Sequence, residues 1–191
     1  MEPAGRGEAA SDGELMRRVR GGDLAWMGEL FERHSRRLFN FFLRSTGDRA
    51  AAEDLVQEVF VRMLKYRQTF REGAEFTPWM WALARHASTD LWRGRPRELP
   101  LEEDAPEPAS AEPSAIATLE RQEQFDRLAG ALDRLAPQKR ELLLLARFSE
   151  LGYDRIGELL GISVGAVKVR VHRALQELKT AYLAEAGEGA A

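Results

Sequence analysis

Near the C-terminus the side chains are spaced for work on nucleic acid. Tyr153–Leu160 reads as a short helix, Gly161-Ile162-Ser163 as a tight turn, and Val164 as the start of a second helix that Ser163 can cap. At the usual helical pitch, Val167, Val171, Ala174 and Leu178 fall inward, while Gly165, Val169, His172, Arg173 and Gln176 fall outward beside Lys168. Such a face offers donors for base edges and phosphates, and an apolar group for thymine methyls. A solvated basic face is the plainer reading, but a glycine-centred turn before a capped, cation-bearing helix is more specific than a charge run.

A second candidate lies in the first half of the chain. Trp81, Arg85, Ser88 and Trp92 share one side of a helix, with Phe76 just ahead of it. Aromatic faces interleaved with cations can stack unpaired bases and hold their phosphates. From the residues alone, ordinary packing with snorkelling arginines is the stronger reading, because aromatic stripes at helical spacing are usually core. On a preceding helix, Asp54, Gln57, Glu58 and Val61 form a face of their own, which alone reads as solvated, with Glu58 and Arg62 as an i,i+4 pair.

Nothing in the sequence resembles an active site. Gly161–Lys168 looks superficially like a phosphate loop, yet follows a helix and lacks the adjacent Gly-Lys-Ser/Thr. His34, His86 and His172 have no metal-ligand spacing, and no nucleophile comes with a base. No catalysis, metal, cofactor or small-molecule substrate is expected.

The elements that position these faces are helical, since apolar residues recur every three or four positions without sustained alternation. Leu24, Met27, Phe31, Leu38 and Phe41 mark a first long helix ending near Thr46-Gly47, and Asp48 can cap a second running to about Tyr66. In that second helix Ala52, Leu55, Val56, Val59, Phe60 and Met63 form the apolar side. Thr77-Pro78 predicts the start of a third, reaching Arg93, with Met80, Leu83, Ala84, Ala87 and Leu91 as core.

Glu98–Ser114 holds four prolines, six acids and no basic residue. That composition buries too little apolar surface to fold, so it predicts a flexible linker over 98–114. The expected organisation is all-α, with small helical domains over 13–97 and 115–183 and frayed tails at 1–12 and 184–191.

Of the 191 residues, 44% are hydrophobic and 31% charged, the balance of a globular protein. The net charge of −3 weakens unaided binding to duplex DNA, whose affinity comes largely from cations displacing counterions. Distribution matters more: Arg85, Arg93, Arg95 and Arg97 cluster, as do Lys168, Arg170, Arg173 and Lys179. With no cysteine, disulfides and thiolate sites are excluded and a cytoplasmic location is expected. Met1–Gly13 lacks a basic, apolar leader and the apolar run Leu142–Ala146 is too short to span a bilayer, so neither export nor membrane insertion is expected.

The run Ala52–Phe60, with Phe70–Phe76, Trp79 and Ala84–Asp90, resembles region two of extracytoplasmic-function sigma factors of the sigma-70 family. Tyr153–Ala174 resembles region four of the same family, in the expected order and behind a linker of the expected type. The resemblance implies a transcription initiation factor in which Asp54, Gln57, Glu58 and Val61 dock on the clamp helices of the polymerase's largest subunit. The flap of the second-largest subunit, promoter DNA and an anti-sigma protein are the other implied partners. Arg71, Glu75, Phe76, Trp81, Arg85, His86, Trp92 and Arg93 are the implied minus-ten residues. Arg147, Ser163, Lys168, Val169, Arg170, His172 and Arg173 are the implied minus-thirty-five residues.

Ala82 and His86 stand where the family often carries arginine and asparagine, and the turn Arg147–Tyr153 is one residue short. The competing reading is a helix-turn-helix regulator that binds duplex DNA without polymerase. It leaves the aromatic-basic stripe of the first half without a use.

Overall fold

The computed structural model describes residues 10–94 and 115–188, with side chains described over 10–90 and 123–185. The described residues form eight α-helices and one 3-10 turn, with no strand among them. The first unit comprises α1 (Asp12–Arg20), α2 (Trp26–Thr46), α3 (Arg49–Lys65), the 3-10 turn Arg67–Thr69 and α4 (Phe76–Gly94). The second comprises α5 (Ala115–Asp133), α6 (Pro137–Phe148), α7 (Tyr153–Leu160) and α8 (Val164–Glu188). The expected linker, 98–114, lies outside the described residues.

Local chemistry explains most boundaries. The Asp48 carboxylate accepts from the Ala51 amide at 3.0 Å and starts α3 as expected. Gly47 ends α2 in the left-handed conformation at φ 68°, which glycine adopts without the Cβ penalty. α4 starts at Phe76, one residue ahead of the expected Thr77 cap.

The expected first helix is α2, and a further helix that was not expected precedes it. Ser11 and Glu14 form a capping box, Ser11 Oγ accepting from the Glu14 amide and Glu14 accepting from the Ser11 amide, and start α1 inside the segment read as a tail. α1 buries Leu15, Met16 and Val19, whereas Leu24 lies in the connection and is 50% exposed. The buried face of α2 is Leu30, His34, Leu38, Phe41 and Phe42, and Phe31 is largely outside the core. His34 occupies a core position because its Nε2 lies 2.7 Å from Asp12 of α1. At the other end α8 continues to Glu188, past the expected edge at 183, and Glu185 pairs with Arg134 in the turn after α5.

α3 buries Ala51, Ala52, Leu55, Val56, Val59, Phe60 and Met63 against α2 and α4. In the second unit α8 is the organising element, packed on α5, α6 and α7. The two units also touch, α2 against α6 and α4 against α7, so one apolar cluster continues through both. No described helix is long and apolar enough to cross a membrane.

Candidate nucleic-acid interface

The helix-turn-helix forms as the residues predict. Gly161 takes φ 67° at the end of α7, and Ser163 Oγ accepts from the Ala166 amide at 3.2 Å to cap α8. Gly157 lets the turn close, because a Cβ there would stand 2.7 Å from the Ile162 carbonyl oxygen. Val167, Val171 and Ala174 are buried and Leu178 is half-buried. The opposite face presents Ser163, Lys168, Val169, Arg170, His172 and Arg173, all exposed, which gives one uninterrupted surface of donors, cations and an apolar group.

Arg147 lies at the end of α6, exposed, with its guanidinium 5.8 Å from the Phe148 ring centroid. The short turn after it closes through Ser149. The buried hydroxyl donates to the Leu145 carbonyl at 2.6 Å and accepts from the Leu151 amide at 3.2 Å, while Glu150 takes φ 57°.

On α3, Asp54, Gln57 and Val61 are exposed and Glu58 is half-buried, all on the side opposite the buried stripe. Glu58 accepts from Arg62 Nε at 2.6 Å, and Arg62 also reaches Asp90 of α4 at 2.9 Å. The acidic face is thereby fixed in place without being covered.

The minus-ten set divides. Phe76 and Trp81 are core residues: Trp81 is fully buried with its indole edge-on to Phe41 at 4.9 Å, and Phe76 packs against His34 at 5.0 Å. Neither offers a ring face to a base, which corrects the expectation drawn from the resemblance and returns both to the packing reading. The helix turns both inward because a fully buried stripe of Met80, Trp81, Ala84 and Ala87 is wider than the apolar pattern alone indicates.

Arg71 and His86 are exposed. Glu75 is exposed and paired with Arg155 of α7. Arg85 donates to Glu141 of α6 at 2.8 Å and to the Leu159 carbonyl at 3.0 Å. Trp92 and Arg93 fall in the last turn of α4, and their side chains lie outside the described residues.

The aromatic beside the 71–75 loop is Trp79. Its indole Nε1 donates to Thr69 Oγ1 at 3.2 Å, and its ring leans on Phe70 at 5.2 Å while remaining half-exposed. Its signal in the sequence is adjacency to that loop, whereas the aromatic-basic stripe points to Trp81. Among the described residues no cluster of His, Asp or Glu could hold a metal ion.

Comparison with known proteins bears directly on these two units. The family profile described as Sigma-70 region 2 matches residues 30–98, and that described as Sigma-70, region 4 matches residues 125–178. RNA polymerase sigma factor CarQ of Myxococcus xanthus is 33% identical over 166 residues, covering 86% of this chain and 93% of its own. The chain belongs to the extracytoplasmic-function sigma factors of the sigma-70 family. ECF RNA polymerase sigma factor SigF of Caulobacter vibrioides is 35% identical, covering 86% of this chain and 89% of its own.

Among solved structures, CnrH in complex with the cytosolic domain of CnrY is 26% identical with a TM-score of 0.68, over 92% of this chain and 97% of that one. The sigma factor RpoE of Bartonella quintana, solved with the anti-sigma factor NepR, shares the fold at a TM-score of 0.64 and 22% identity, over 81% of this chain and 94% of that one. The first unit is therefore sigma region two and the second is region four. Sigma factors are DNA-binding initiation factors rather than enzymes. With both regions present in order, the polymerase-independent regulator loses its support.

Proposed function

We propose that this sigma factor docks on core RNA polymerase through the α3 face Asp54, Gln57, Glu58 and Val61, and reads the minus-thirty-five element through Ser163, Lys168, Val169, Arg170, His172 and Arg173. The observation that carries the reading is the separation of two uncovered faces of opposite character, acidic on α3 and basic on α8, each backed by its own buried stripe. Arg147, exposed at the end of α6, serves as a phosphate contact.

In region two, Arg71, Glu75, Arg85 and His86 form the minus-ten surface, with Trp79 rather than Trp81 or Phe76 as the exposed aromatic. Trapping unpaired bases suffices to open the duplex. Each base step opened costs roughly 1–2 kcal/mol, and each stacked base returns a comparable amount. Region four rests on the flap of the second-largest subunit, and the protein works in the cytoplasm, where polymerase is. The likeness to CnrH, solved bound to another protein's cytosolic domain, supports control by an anti-sigma partner.

Docking is tested by fluorescence anisotropy of the labelled chain titrated with core polymerase. Asp54→Ala with Glu58→Ala weakens binding about tenfold if the two acids together contribute about 1.4 kcal/mol. Unchanged binding would move the docking surface elsewhere.

A further inference from the structure

The 71–75 loop cannot hold a DNA backbone by itself. Its charged residues are Arg71, Glu72 and Glu75, one cation against two acids. A strand that gives up a base to this loop brings a phosphate on either side of that base, and each needs a donor or a cation. The counter-charge must come from a neighbouring element.

That neighbour is α1, whose last turn carries Arg17, Arg18 and Arg20. A basic last turn complements the helix dipole, and that alone would account for three cations. Their directions separate them. Arg17 and Arg20 are three residues apart and share one flank, whereas Arg18 falls on the other. Arg20 Nη1 donates to the Phe70 carbonyl at 3.0 Å, and Gln68 Nε2 donates to the Arg20 carbonyl at 3.1 Å, so the first flank is stitched to the segment that enters the loop. Arg18 instead lies over the Trp26 ring, 4.5 Å from its centroid.

Arg17 faces the loop itself. It lines one cleft with Gly73, Ala74 and Thr77, whose far wall in the free chain is the α6–α7 turn. The acids that line this cleft are all paired: Asp12 with Arg33, Glu75 with Arg155 and Glu150 with Arg37. Glu14, one turn back on α1, is occupied by the Ser11 amide and hydroxyl at 2.7 and 2.9 Å. Arg17 is exposed and makes no ion pair among the described residues. Phe70 joins cation to aromatic, since its carbonyl takes Arg20 and its ring takes Trp79 at 5.2 Å. An unpaired guanidinium and a half-exposed ring thus flank one loop, the combination that single-strand-binding surfaces use.

We propose that Arg17 holds a phosphodiester of the unpaired minus-ten strand beside the loop that takes the base, with Arg20 fixing α1 in place for it. This rests on the minus-ten role given to that loop above. Arg17 belongs to the nucleic-acid surface, and Arg18, its neighbour in sequence, does not. The contact reads charge rather than base, so it adds affinity for any unpaired strand.

The test is the salt dependence of holoenzyme binding to a fluorescein-labelled fork junction from the factor's own promoter, duplex upstream and unpaired through the minus-ten element. Each phosphate neutralised on a single strand contributes about 0.7 to the steepness of log affinity against log salt. Arg17→Gln therefore reduces the steepness by about 0.7 and weakens binding several-fold, whatever the bases of the unpaired strand. Arg18→Gln removes the same charge from the same turn and keeps the wild-type slope. Neutral methylphosphonate linkages, placed one at a time along the unpaired strand, include one that weakens wild type and has no effect on Arg17→Gln.

An unchanged slope in Arg17→Gln, an equal fall in Arg18→Gln, or a scan with no such linkage overturns the proposal. A wild-type holoenzyme that does not bind the junction at all overturns the functional reading and this contact with it, so the two failures are distinct.

Discussion

The Trp81 indole meets the Phe41 ring edge-on at 4.9 Å, and both side chains are buried. This contact joins α4 to α2 and decides between two meanings of one aromatic. Trp81→Ala costs about 3–5 kcal/mol of stability, the range for removing a buried aromatic. Urea unfolding of the full chain checks it. Were Trp81 a base-stacking residue, the variant would keep its stability and lose only promoter opening.

Trp79 gives the converse expectation. It is half-exposed beside the 71–75 loop, whereas Trp81 is buried, and is the aromatic proposed above for the minus-ten surface. Trp79→Ala lowers the yield of open complexes by about one stacked base, on the order of 1–3 kcal/mol. Permanganate footprinting of the melted minus-ten region measures this, and a loss restored by pre-melted templates is the expected signature.

Gly157 has no room for a side chain. A Cβ 2.7 Å from the Ile162 carbonyl oxygen forces the α7–α8 turn open, so Gly157→Ala destabilises the chain by about 1–3 kcal/mol. It also tilts the groove-facing helix. Thermal unfolding followed by circular dichroism checks the first effect and binding of minus-thirty-five duplex by holoenzyme checks the second.

Acid weakens region two through His34 and Asp12. Burial dominates at His34 and holds its pKa below the ordinary value despite the Asp12 carboxylate, and its Nδ1 is buried without a partner. Neutral His34 donating from Nε2 to Asp12 satisfies this geometry. The unfolded chain therefore takes up the proton first. The stabilising contribution of neutral His34 is full above its ordinary pKa near 6.5 and is lost as pH falls through its depressed folded value.

Asp12 acts in the same direction at lower pH. Burial works against its ionisation, but hydrogen bonding from Arg33 and the nearby His34 outweigh that and leave its pKa lowered. Urea midpoints taken from pH 7.5 to 5.5 fall in wild type and flatten in His34→Gln. A midpoint that rises with acid would mean the pair is charged in the folded state.

The sequence made α3, α7 and the start of α8 legible because their ends carry strong local signals: Asp48, the Gly161 turn and the Ser163 cap act within three residues of themselves. α1 was not legible, since its capping box sits in a short segment of small and acidic residues. His34 interrupted the apolar pattern at a core position, and its hydrogen-bond partner lies 22 residues away. Phe76 and Trp81 were misplaced because exposure of an aromatic depends on its tertiary neighbours, here Phe41 and His34. The seam between the units was invisible for the same reason: its pairs join Arg85 to Glu141, Glu75 to Arg155 and Arg37 to Glu150, at separations of 56 to 113 residues.

The central claim is that this chain directs core polymerase to promoters through its acidic α3 face. Reconstituted transcription with bacterial core polymerase and DNA from upstream of the chain's own gene tests it most directly, with start sites mapped by primer extension. The account predicts a discrete transcript that requires the protein and drops about tenfold when Asp54 and Glu58 are both replaced by alanine. The absence of any protein-dependent transcript, alongside a shift of duplex DNA by the chain alone at moderate salt, would contradict it.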